Sequence, residues 1–248
     1  MKGATPAGAA TEREASEWVR AMFGRVAHRY DLANHLLSLN IDRYWRARTV
    51  ARVRTALRAP GAKALDLCCG TGDLLLALEA DGGAGRWPAS LWGSDFCHPM
   101  LTAAAEKIAR HGFRSRVFEA DALQIPVRDG SLDLVTVAFG FRNLVDYPRG
   151  LVEMRRVLRP GGLAAILEFS QPPNRAFAAV YNFYSRRVLP AVGGVLSGSK
   201  DAYAYLPESV RKFPSAEELA RMMRDAGFVE VSFERITGGI VCLHVGRA

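Results

Sequence analysis

The sequence predicts an α/β fold in which a mostly parallel sheet carries helices on both faces. From residue 64 onward, short apolar runs alternate with segments whose apolar residues recur at helical spacing. Strands separated by helices of about 10–15 residues imply βαβ crossovers, which place successive strands parallel in one sheet. The 248 residues are 49% hydrophobic and 23% charged, a balance that fits one globular domain and excludes a disordered polypeptide.

Seven strands follow from this pattern. Five apolar runs predict the first strands, at residues 64–68, 91–95, 116–121, 132–139 and 163–169. The helices between them are predicted at residues 73–79, 99–110 and 149–158. A later helix over 215–226 begins at a capping box, Ser215 with Glu218, and ends at Gly227. Two final strands, 228–235 and 240–245, predict a hairpin that adds an antiparallel edge to the sheet.

The predicted domain covers residues 13–248, with two helical additions to the sheet. Residues 1–12 are small and polar, which predicts a mobile tail. Residues 13–60 form an N-terminal helical cover, with one amphipathic helix over 14–33 and another over 43–58. Residues 173–213 form a lid or insertion, and their apolar, aromatic stretch 176–195 reads as a helix.

Charge and cysteine content narrow the range of partners and chemistry. Lys and Arg exceed Asp and Glu by 33 to 25, and the net charge of +8 indicates an anionic partner: nucleic acid, an acidic substrate or an anionic membrane surface. No apolar run reaches the ~18 residues of a spanning helix, and the N-terminus is no secretory signal. The four cysteines form no CxxC pair, so we expect reduced thiols, a cytoplasmic location and no metal site.

A glycine-rich turn joins the first strand of the sheet to a helix. It spans residues 65–73, with Gly70 and Gly72 at its centre, and such a turn faces the ligand crevice of an open α/β sheet. The third glycine of a dinucleotide fingerprint is replaced by Leu75, and no P-loop Lys-Ser/Thr pair follows. Asp73 disfavours a phosphate at the helix N-terminus. The loop therefore suits a nucleoside without phosphate; a turn that merely joins strand to helix is the alternative.

Carboxylates at two further strand ends fit the same ligand. Asp95 ends the second strand, where a carboxylate can accept both ribose hydroxyls. Asp121 ends the third strand, where it can accept from an exocyclic amine while the Ala122 amide faces the ring edge. Acids at strand ends also serve as simple caps. Their succession beside a glycine loop favours the nucleoside interpretation.

At these residues the sequence resembles the S-adenosylmethionine-dependent methyltransferases of the Rossmann-like class I type, and more closely the menaquinone and ubiquinone biosynthesis C-methyltransferases. The resemblance covers nearly the whole chain after residue 12. The matching pieces are Tyr30-Asp31 with Asn34, Ser38 and Trp45; Leu65 to Asp73; Phe139-Gly140-Phe141-Arg142-Asn143; Arg156 to Gly162 with Glu168 and Ser170; Tyr205-Leu206 with Ser209 and Phe213; and Gly238-Gly239-Ile240-Val241 with His244.

This resemblance implies a seven-stranded, mostly parallel sheet with one antiparallel strand. It also implies S-adenosylmethionine as cofactor and C-methylation of a polyprenyl hydroquinone; methylation of another small aromatic or lipid acceptor is the alternative. No metal is required. The implied cofactor-binding residues are Asp66, Gly70, Thr71, Gly72, Asp95, Asp121, Ala122 and Ala138.

The implied catalytic residues are Arg142, Asn143 and Tyr30. A carbon nucleophile needs a ring hydroxyl to lose its proton, and hence a base or water relay and a donor for the oxyanion. Arg142 is expected to stabilise the phenolate, Asn143 to orient the ring or a water, and Tyr30 to take part in a proton relay. Three alternatives stay open: Asp31 or His35 as base, pairing of Arg142 with an acid such as Asp146, and Glu168 as an ion-pair or substrate-binding residue.

The chain departs from the family pattern at four positions. Cys68 replaces the first glycine of the loop, and Ala33, Asn40 and Asp42 stand where the family usually has Met, Gly and His. These changes bear on how the quinone is held. The expected partners are a prenylated quinol and an anionic membrane at the inner face of the cell, with a homodimer as a further option. Nucleic acid is not expected, because the arginines are spread along the chain.

Overall fold

The computed structural model describes residues 3–6, 8–27, 30–82, 89–184, 187 and 200–248. The strands are β1 (Lys63–Leu67), β2 (Ser90–Asp95), β3 (Arg116–Glu119), β4 (Leu132–Ala138), β5 (Leu158–Phe169), β6 (Val229–Ile236) and β7 (Val241–Arg247). The helices are α1 (Glu12–Val26), α2 (Tyr30–Leu37), α3 (Ile41–Leu57), α4 (Asp73–Gly82), α5 (His98–Arg110), α6 (Tyr147–Val157), α7 (Arg175–Phe183), α8 (Lys200–Lys212) and α9 (Ala216–Asp225). Short 3₁₀ turns cover Phe141–Asn143 and Thr237–Gly239.

The seven strands form one sheet in the order β3-β2-β1-β4-β5-β7-β6. All neighbours pair in parallel except β7, which is antiparallel to both β5 and β6. The predicted mostly parallel sheet with one antiparallel strand is therefore confirmed. The predicted hairpin of the last two strands forms one edge of the sheet, and within it β7 is the antiparallel strand, inserted between β5 and β6.

Both faces of the sheet are buried because consecutive strand residues point to opposite sides. Ala64 and Leu134 face the side covered by α3, α4 and α5, whereas Leu65 and Val135 face α6 and α9. Each helix contributes an apolar stripe, such as Val50, Val53 and Leu57 on α3 or Leu151 and Met154 on α6. The predicted layers of helices on both faces are confirmed.

The structure differs from the prediction at three elements. The single helix expected over 14–33 is two helices, α1 and α2; the apolar spacing continues across the break, so periodicity gives no sign of it. β5 begins at Leu158 rather than at residue 163. Helix α8 has no counterpart in the prediction, since Pro207 lies inside it and proline normally interrupts a helix. Of the predicted lid helix over 176–195, the part beyond Tyr184 lies outside the described residues, except for residue 187.

The N-terminal residues, for which the sequence predicts a mobile tail, contact the domain. The Ala4 N–H donates to the Leu144 carbonyl (2.7 Å), and the Lys212 ammonium donates to the Thr5 carbonyl (2.9 Å). Gly3 lies so close that an added Cβ would stand 2.2 Å from the Leu144 oxygen. Residues 3–5 thus lie against the loop that follows β4 and against α8.

Candidate active site

A cavity of about 950 Å³ lies at the carboxyl ends of the parallel strands. The chain builds β2 and β3 on one side of β1 and then returns to build β4 on the other, so the crevice between β1 and β4 is the switch point of the sheet. Residues of α1, α2, α3, α7 and α8 also line this cavity. Its volume is at the upper end of the ~300–1,000 Å³ typical of small-molecule sites, which leaves room for two ligands.

The glycine-rich turn after β1 presents its backbone to the cavity. The Cys69 N–H donates to the Ser94 carbonyl (3.0 Å), and the Gly72 N–H donates to the Cys69 carbonyl (2.8 Å). Gly70 has φ +56° with open space where a Cβ would stand, so a ligand can approach its backbone. Gly72 has φ +87° and packs against Ala104 instead, which allows α4 and α5 to approach each other.

The carboxylate of Asp95 holds the turn in place from the end of β2. Its two oxygens accept the N–H groups of Gly70 (3.0 Å) and Cys97 (2.9 Å). Burial raises the pKa of Asp95 to about 6, against the lowering effect of these backbone hydrogen bonds. Each oxygen keeps a second lone pair, so an ionised Asp95 can accept two further hydrogen bonds from a ligand in the cavity.

Asp66 has a structural environment that differs from that of Asp95. It is 2% exposed, and its Oδ1 accepts the Thr136 hydroxyl (2.7 Å) across the β1–β4 junction. Burial raises the pKa of Asp66 to about 7. The side chain therefore joins the two strands that flank the crevice.

The other predicted cofactor residues lie at neighbouring strand ends. Asp121 accepts the Leu123 N–H (2.8 Å), Ala122 is buried, and Ala138 ends β4. Seven of the eight predicted cofactor residues border the cavity, and Gly72 lies behind the turn. The sheet thus brings together residues from four separate strand ends.

A lysine on α5 connects the glycine turn to the N-terminal cover. Lys107 Nζ forms ion pairs with Asp31 of α2 and with Asp73 (2.7 Å), and it donates to the Thr71 hydroxyl (3.0 Å). The Thr71 hydroxyl in turn donates to Asp31. We name Lys107, Asp31, Asp73 and Thr71 the latch. Lys107 was not predicted as a site residue, because nothing in a single sequence distinguishes one lysine of a surface helix from the others.

The second candidate base, His35, also belongs to a polar network. Its Nδ1 lies 2.7 Å from Asp42, which accepts the Ser38 hydroxyl (2.6 Å) and pairs with Arg46. Burial alone would raise the pKa of Asp42, but the Ser38 hydrogen bond and the Arg46 charge lower it overall. Asp42 is one of the departures from the family pattern, and here it organises the turn between α2 and α3.

Arg142 lies in the cavity wall and is held by a buried acid. Its Nη1 pairs with Glu168 at the end of β5 (2.9 Å), and its backbone N–H donates to the same carboxylate (3.1 Å). Its Nε donates to the Ser209 hydroxyl of α8 (3.3 Å). Asp146, the acid considered as a partner in the sequence, instead caps α6 by accepting the Arg149 N–H (2.9 Å). The arginine is thus paired with Glu168.

Asn143 and Tyr205 form a second polar contact at the cavity. The Tyr205 hydroxyl donates to Asn143 Oδ1 (3.2 Å), and burial raises the pKa of Tyr205 to about 12. This tyrosine therefore stays a neutral hydrogen-bonding group. Tyr30 is the first residue of α2, and the structure does not describe its side chain.

Aromatic side chains form one wall of the cavity. The rings of Phe139 and Phe169 lie 4.7 Å apart, and Trp45 packs against both at 5.8 and 6.0 Å. The Trp45 indole N–H donates to the Thr237 hydroxyl (2.8 Å), which fixes the orientation of its ring. This wall is apolar, and the Arg142 guanidinium lies beside it, 5.4 Å from the centroid of the Phe169 ring.

Two departures from the family pattern fall where the backbone favours glycine. Cys68 has φ +49° and Asn40 has φ +60°, both in the left-handed region. The Cys68 side chain also explains Gly140, because a Cβ at residue 140 would stand 2.4 Å from the Cβ of Cys68. The turns after β1 and β4 therefore fit together only with glycine at position 140.

The donor and acceptor groups of the cavity fit S-adenosylmethionine. The carboxylates of Asp95 and Asp121 can accept from hydroxyl and amine groups, whereas they would repel a phosphate. The open backbone at Gly70 allows close approach, and the cavity continues to the aromatic wall. This fold and this arrangement define the class I methyltransferases.

Comparisons with known proteins identify the family. The sequence model of the ubiE/COQ5 methyltransferase family matches residues 10–248. A demethylmenaquinone methyltransferase from Thermus thermophilus is 49% identical over 91% of this chain and 99% of that protein. A ubiquinone/menaquinone biosynthesis C-methyltransferase from Geotalea uraniireducens is 43% identical over 94% of this chain and 97% of that protein. The chain belongs to the ubiE/COQ5 methyltransferase family and is an S-adenosylmethionine-dependent methyltransferase.

Solved structures show the same fold at lower identity. A methyltransferase from Aquifex aeolicus that depends on S-adenosylmethionine covers 80% of this chain and 88% of its own, with a TM-score of 0.56 and 22% identity. Another, from Thermotoga maritima and described as a possible histamine N-methyltransferase, covers 92% and 98%, with a TM-score of 0.62 and 17% identity. These similarities confirm the predicted Rossmann-like class I fold.

Proposed function

We propose that the protein transfers the methyl group of S-adenosylmethionine to a ring carbon of a polyprenyl hydroquinone in menaquinone or ubiquinone biosynthesis. One observation carries the proposal: a single cavity joins a half suited to a nucleoside with a half lined by aromatic rings. The names of relatives at 40–49% identity support the same acceptor.

The turn after β1 and the ends of β2 and β3 would hold the cofactor. Asp95 would accept the ribose hydroxyls, Asp121 the exocyclic amine, and the Ala122 amide would face the adenine edge. Gly70 and Thr71 would lie along the ligand, while Asp66, Gly72 and Ala138 shape the crevice. S-adenosylmethionine supplies an electrophilic methyl group bound to a sulfonium.

The residues after β4 would prepare the acceptor. A ring carbon becomes nucleophilic when a neighbouring hydroxyl loses its proton, and the developing phenolate needs a stabilising group. Arg142 supplies positive potential at the cavity wall, Asn143 orients the ring or a water through its amide, and Tyr30 takes part in the proton relay. Glu168 keeps Arg142 in position. Alignment of the two reactants can contribute ~7–11 kcal/mol to lowering the barrier.

The acceptor also suggests where the reaction takes place. A polyprenyl chain is held in the bilayer, so the enzyme would meet its substrate as a peripheral protein at the cytoplasmic face of the cell membrane. Within the part of the chain that the structure describes, no helix is long and apolar enough to cross a membrane.

An assay with two acceptors tests the proposal. The protein is incubated with methyl-labelled S-adenosylmethionine and either demethylmenaquinol or the ubiquinol precursor that lacks the same ring methyl. We expect label in at least one quinol, and the ratio of the two rates assigns the branch. Asn143→Ala should slow transfer while it leaves cofactor affinity unchanged. Labelling of neither quinol would contradict the proposed acceptor.

A further inference from the structure

Exposed apolar side chains concentrate on two segments of the molecule. Of nine large hydrophobic residues that are exposed in the described part of the chain, seven lie on these segments, with exposed fractions from 38% to 74%. We name these seven residues the apolar rim. Around the turn between α2 and α3 they are Leu36, Leu39, Ile41 and Tyr44. On α7 they are Phe177, Val180 and Phe183.

The two segments flank the same opening. Leu39 and Ile41 border the cavity from one side, and Tyr181 of α7 borders it from the other. The short turn Thr237–Gly239 connects them: Trp45 of α3 donates to Thr237, and the Phe177 ring packs against Gly238. The apolar rim therefore borders the proposed active site: Leu39 and Ile41 line the cavity, and the rest of the rim lies on the segments that line it.

Helix α7 is apolar on its outer face as well as on its inner face. Tyr181 and Tyr184 turn toward the cavity, and burial raises the pKa of Tyr181 to about 12. Val180 and Phe183 face outward, and Phe177, which packs against Gly238, keeps 38% of its surface exposed. A helix that is apolar on both faces is typical of a protein interior or a membrane environment, and contiguous exposed apolar surface marks an interaction site.

The charges on the same segments are positive. Arg43, Arg175 and Arg187 are exposed, whereas Asp42 is buried against Arg46. The sequence contains no acidic residue between positions 172 and 200. Basic side chains beside an apolar surface complement anionic lipid headgroups.

We propose that the apolar rim docks the protein on an anionic lipid bilayer with the mouth of the cavity facing the hydrocarbon. The inference extends the proposed function, since a polyprenyl acceptor could then enter the cavity without passing through water. It also gives the α2–α3 turn, in addition to α7, a direct part in membrane contact.

Vesicle binding by matched variants tests the rim. Leu36→Glu/Val180→Glu adds two charges to it, and Val152→Glu/Val229→Glu adds the same two charges at equally exposed sites on α6 and β6. Binding is measured by sedimentation with phosphatidylglycerol-containing and with purely zwitterionic vesicles. We expect the rim variant to lose at least tenfold in affinity for the anionic vesicles, and the control to bind like the unmodified protein.

Turnover of a short-chain, water-soluble quinol separates this inference from the proposed function. The rim variant should keep that turnover but lose methylation of a long-chain quinol in vesicles. Equal vesicle binding by both variants, or an equal loss of binding in both, would overturn the proposal that the apolar rim docks on the bilayer. Light scattering that shows a dimer for the unmodified protein and a monomer for the rim variant would also overturn the proposal, because a second copy would then cover this surface. Failure of the unmodified protein on both quinols would count against the proposed function alone.

Discussion

The two halves of the cavity are built in different ways. We propose that one half binds the cofactor and the other the acceptor. The cofactor half consists of backbone amides and carboxylates at the ends of β1, β2 and β3, which are neighbours in the sheet. The acceptor half consists of side chains from distant parts of the chain, joined by contacts such as Trp45 to Thr237 and Asn143 to Tyr205. One half is positioned by strand pairing, the other by packing of the covers.

The two halves should therefore tolerate different substitutions. Strand register fixes the cofactor half, so a substitution in a cover should leave cofactor affinity intact. The acceptor half depends on α2, α3, α7 and α8, so small changes there alter the shape seen by the acceptor.

The largest effect is expected at the boundary between the halves. Glu168→Gln leaves the buried Arg142 charge without its counter-ion, and breaking such a pair costs about 3–5 kcal/mol. Urea denaturation should show this loss in the free energy of unfolding. Replacing both partners by apolar residues, Arg142→Met/Glu168→Leu, should recover much of it. A single variant that costs less than 1 kcal/mol would show that the pair does not hold the two halves together.

Asp95→Asn should impair the cofactor half selectively. The amide loses the charge that strengthens hydrogen bonds to ligand hydroxyls, and charged hydrogen bonds contribute about 1.5–3 kcal/mol. Calorimetry should therefore show S-adenosylmethionine binding weakened roughly 10- to 100-fold, with the KM for the quinol little changed. Asp146→Asn is the control, because asparagine also caps helices well. Unchanged cofactor affinity in Asp95→Asn would remove this residue from the cofactor half.

Cofactor affinity should also depend on pH through the same carboxylate. Burial raises the pKa of Asp95 to about 6, so the group is ionised above that pH and protonated below it. A protonated carboxyl accepts fewer hydrogen bonds, and affinity should fall by up to tenfold per pH unit as the pH drops below about 6. Asp95→Asn should flatten the profile. An identical slope in the variant would assign the pH dependence to another group.

A smaller effect is expected from opening the latch. Lys107→Met leaves the carboxylates of Asp31 and Asp73 close together without their shared cation. Helix α2 should loosen, so that its backbone amides exchange hydrogen faster and the KM for the quinol rises severalfold. Lys63→Met, at the exposed start of β1, is the matched control. Unchanged exchange in α2 would show that Lys107 does not fasten the cover.

The place in the cavity of the residues proposed to bind the cofactor was predictable from the sequence, because their signals are local. A carboxylate at the end of a buried strand can be recognised from the apolar residues of that strand alone. Asp66, Asp95 and Asp121 all lie at or just after such ends. The acceptor half was predictable only in part: the sequence indicated Arg142 and Asn143, which line the cavity, but not the contacts that hold them. It left open both Asp146 as a partner of Arg142 and Glu168 as an ion-pair residue, and the fold pairs Arg142 with Glu168 because β4 and β5 are adjacent in the sheet. The break between α1 and α2 and the helix α8 were missed for local reasons, because the apolar spacing continues across the break and Pro207 lies inside α8.

The departures from the family pattern show a second limit of the sequence. Cys68 replaces the first glycine of the loop, and the structure leaves open space for a ligand at Gly70 while Cys68 itself adopts a positive φ. The consequence appears in the turn after β4, where Gly140 accommodates the Cys68 side chain. Only the juxtaposition of the two turns reveals this dependence.

The central claim is that one cavity brings the methyl donor to a ring carbon of a quinol. Nuclear magnetic resonance of the product formed from ¹³C-methyl S-adenosylmethionine and demethylmenaquinol tests it directly. The predicted result is a labelled methyl group that correlates with ring carbons and has the chemical shift of a methyl bound to carbon, not to oxygen. A methyl ether, or label on no quinol atom at all, would contradict the account.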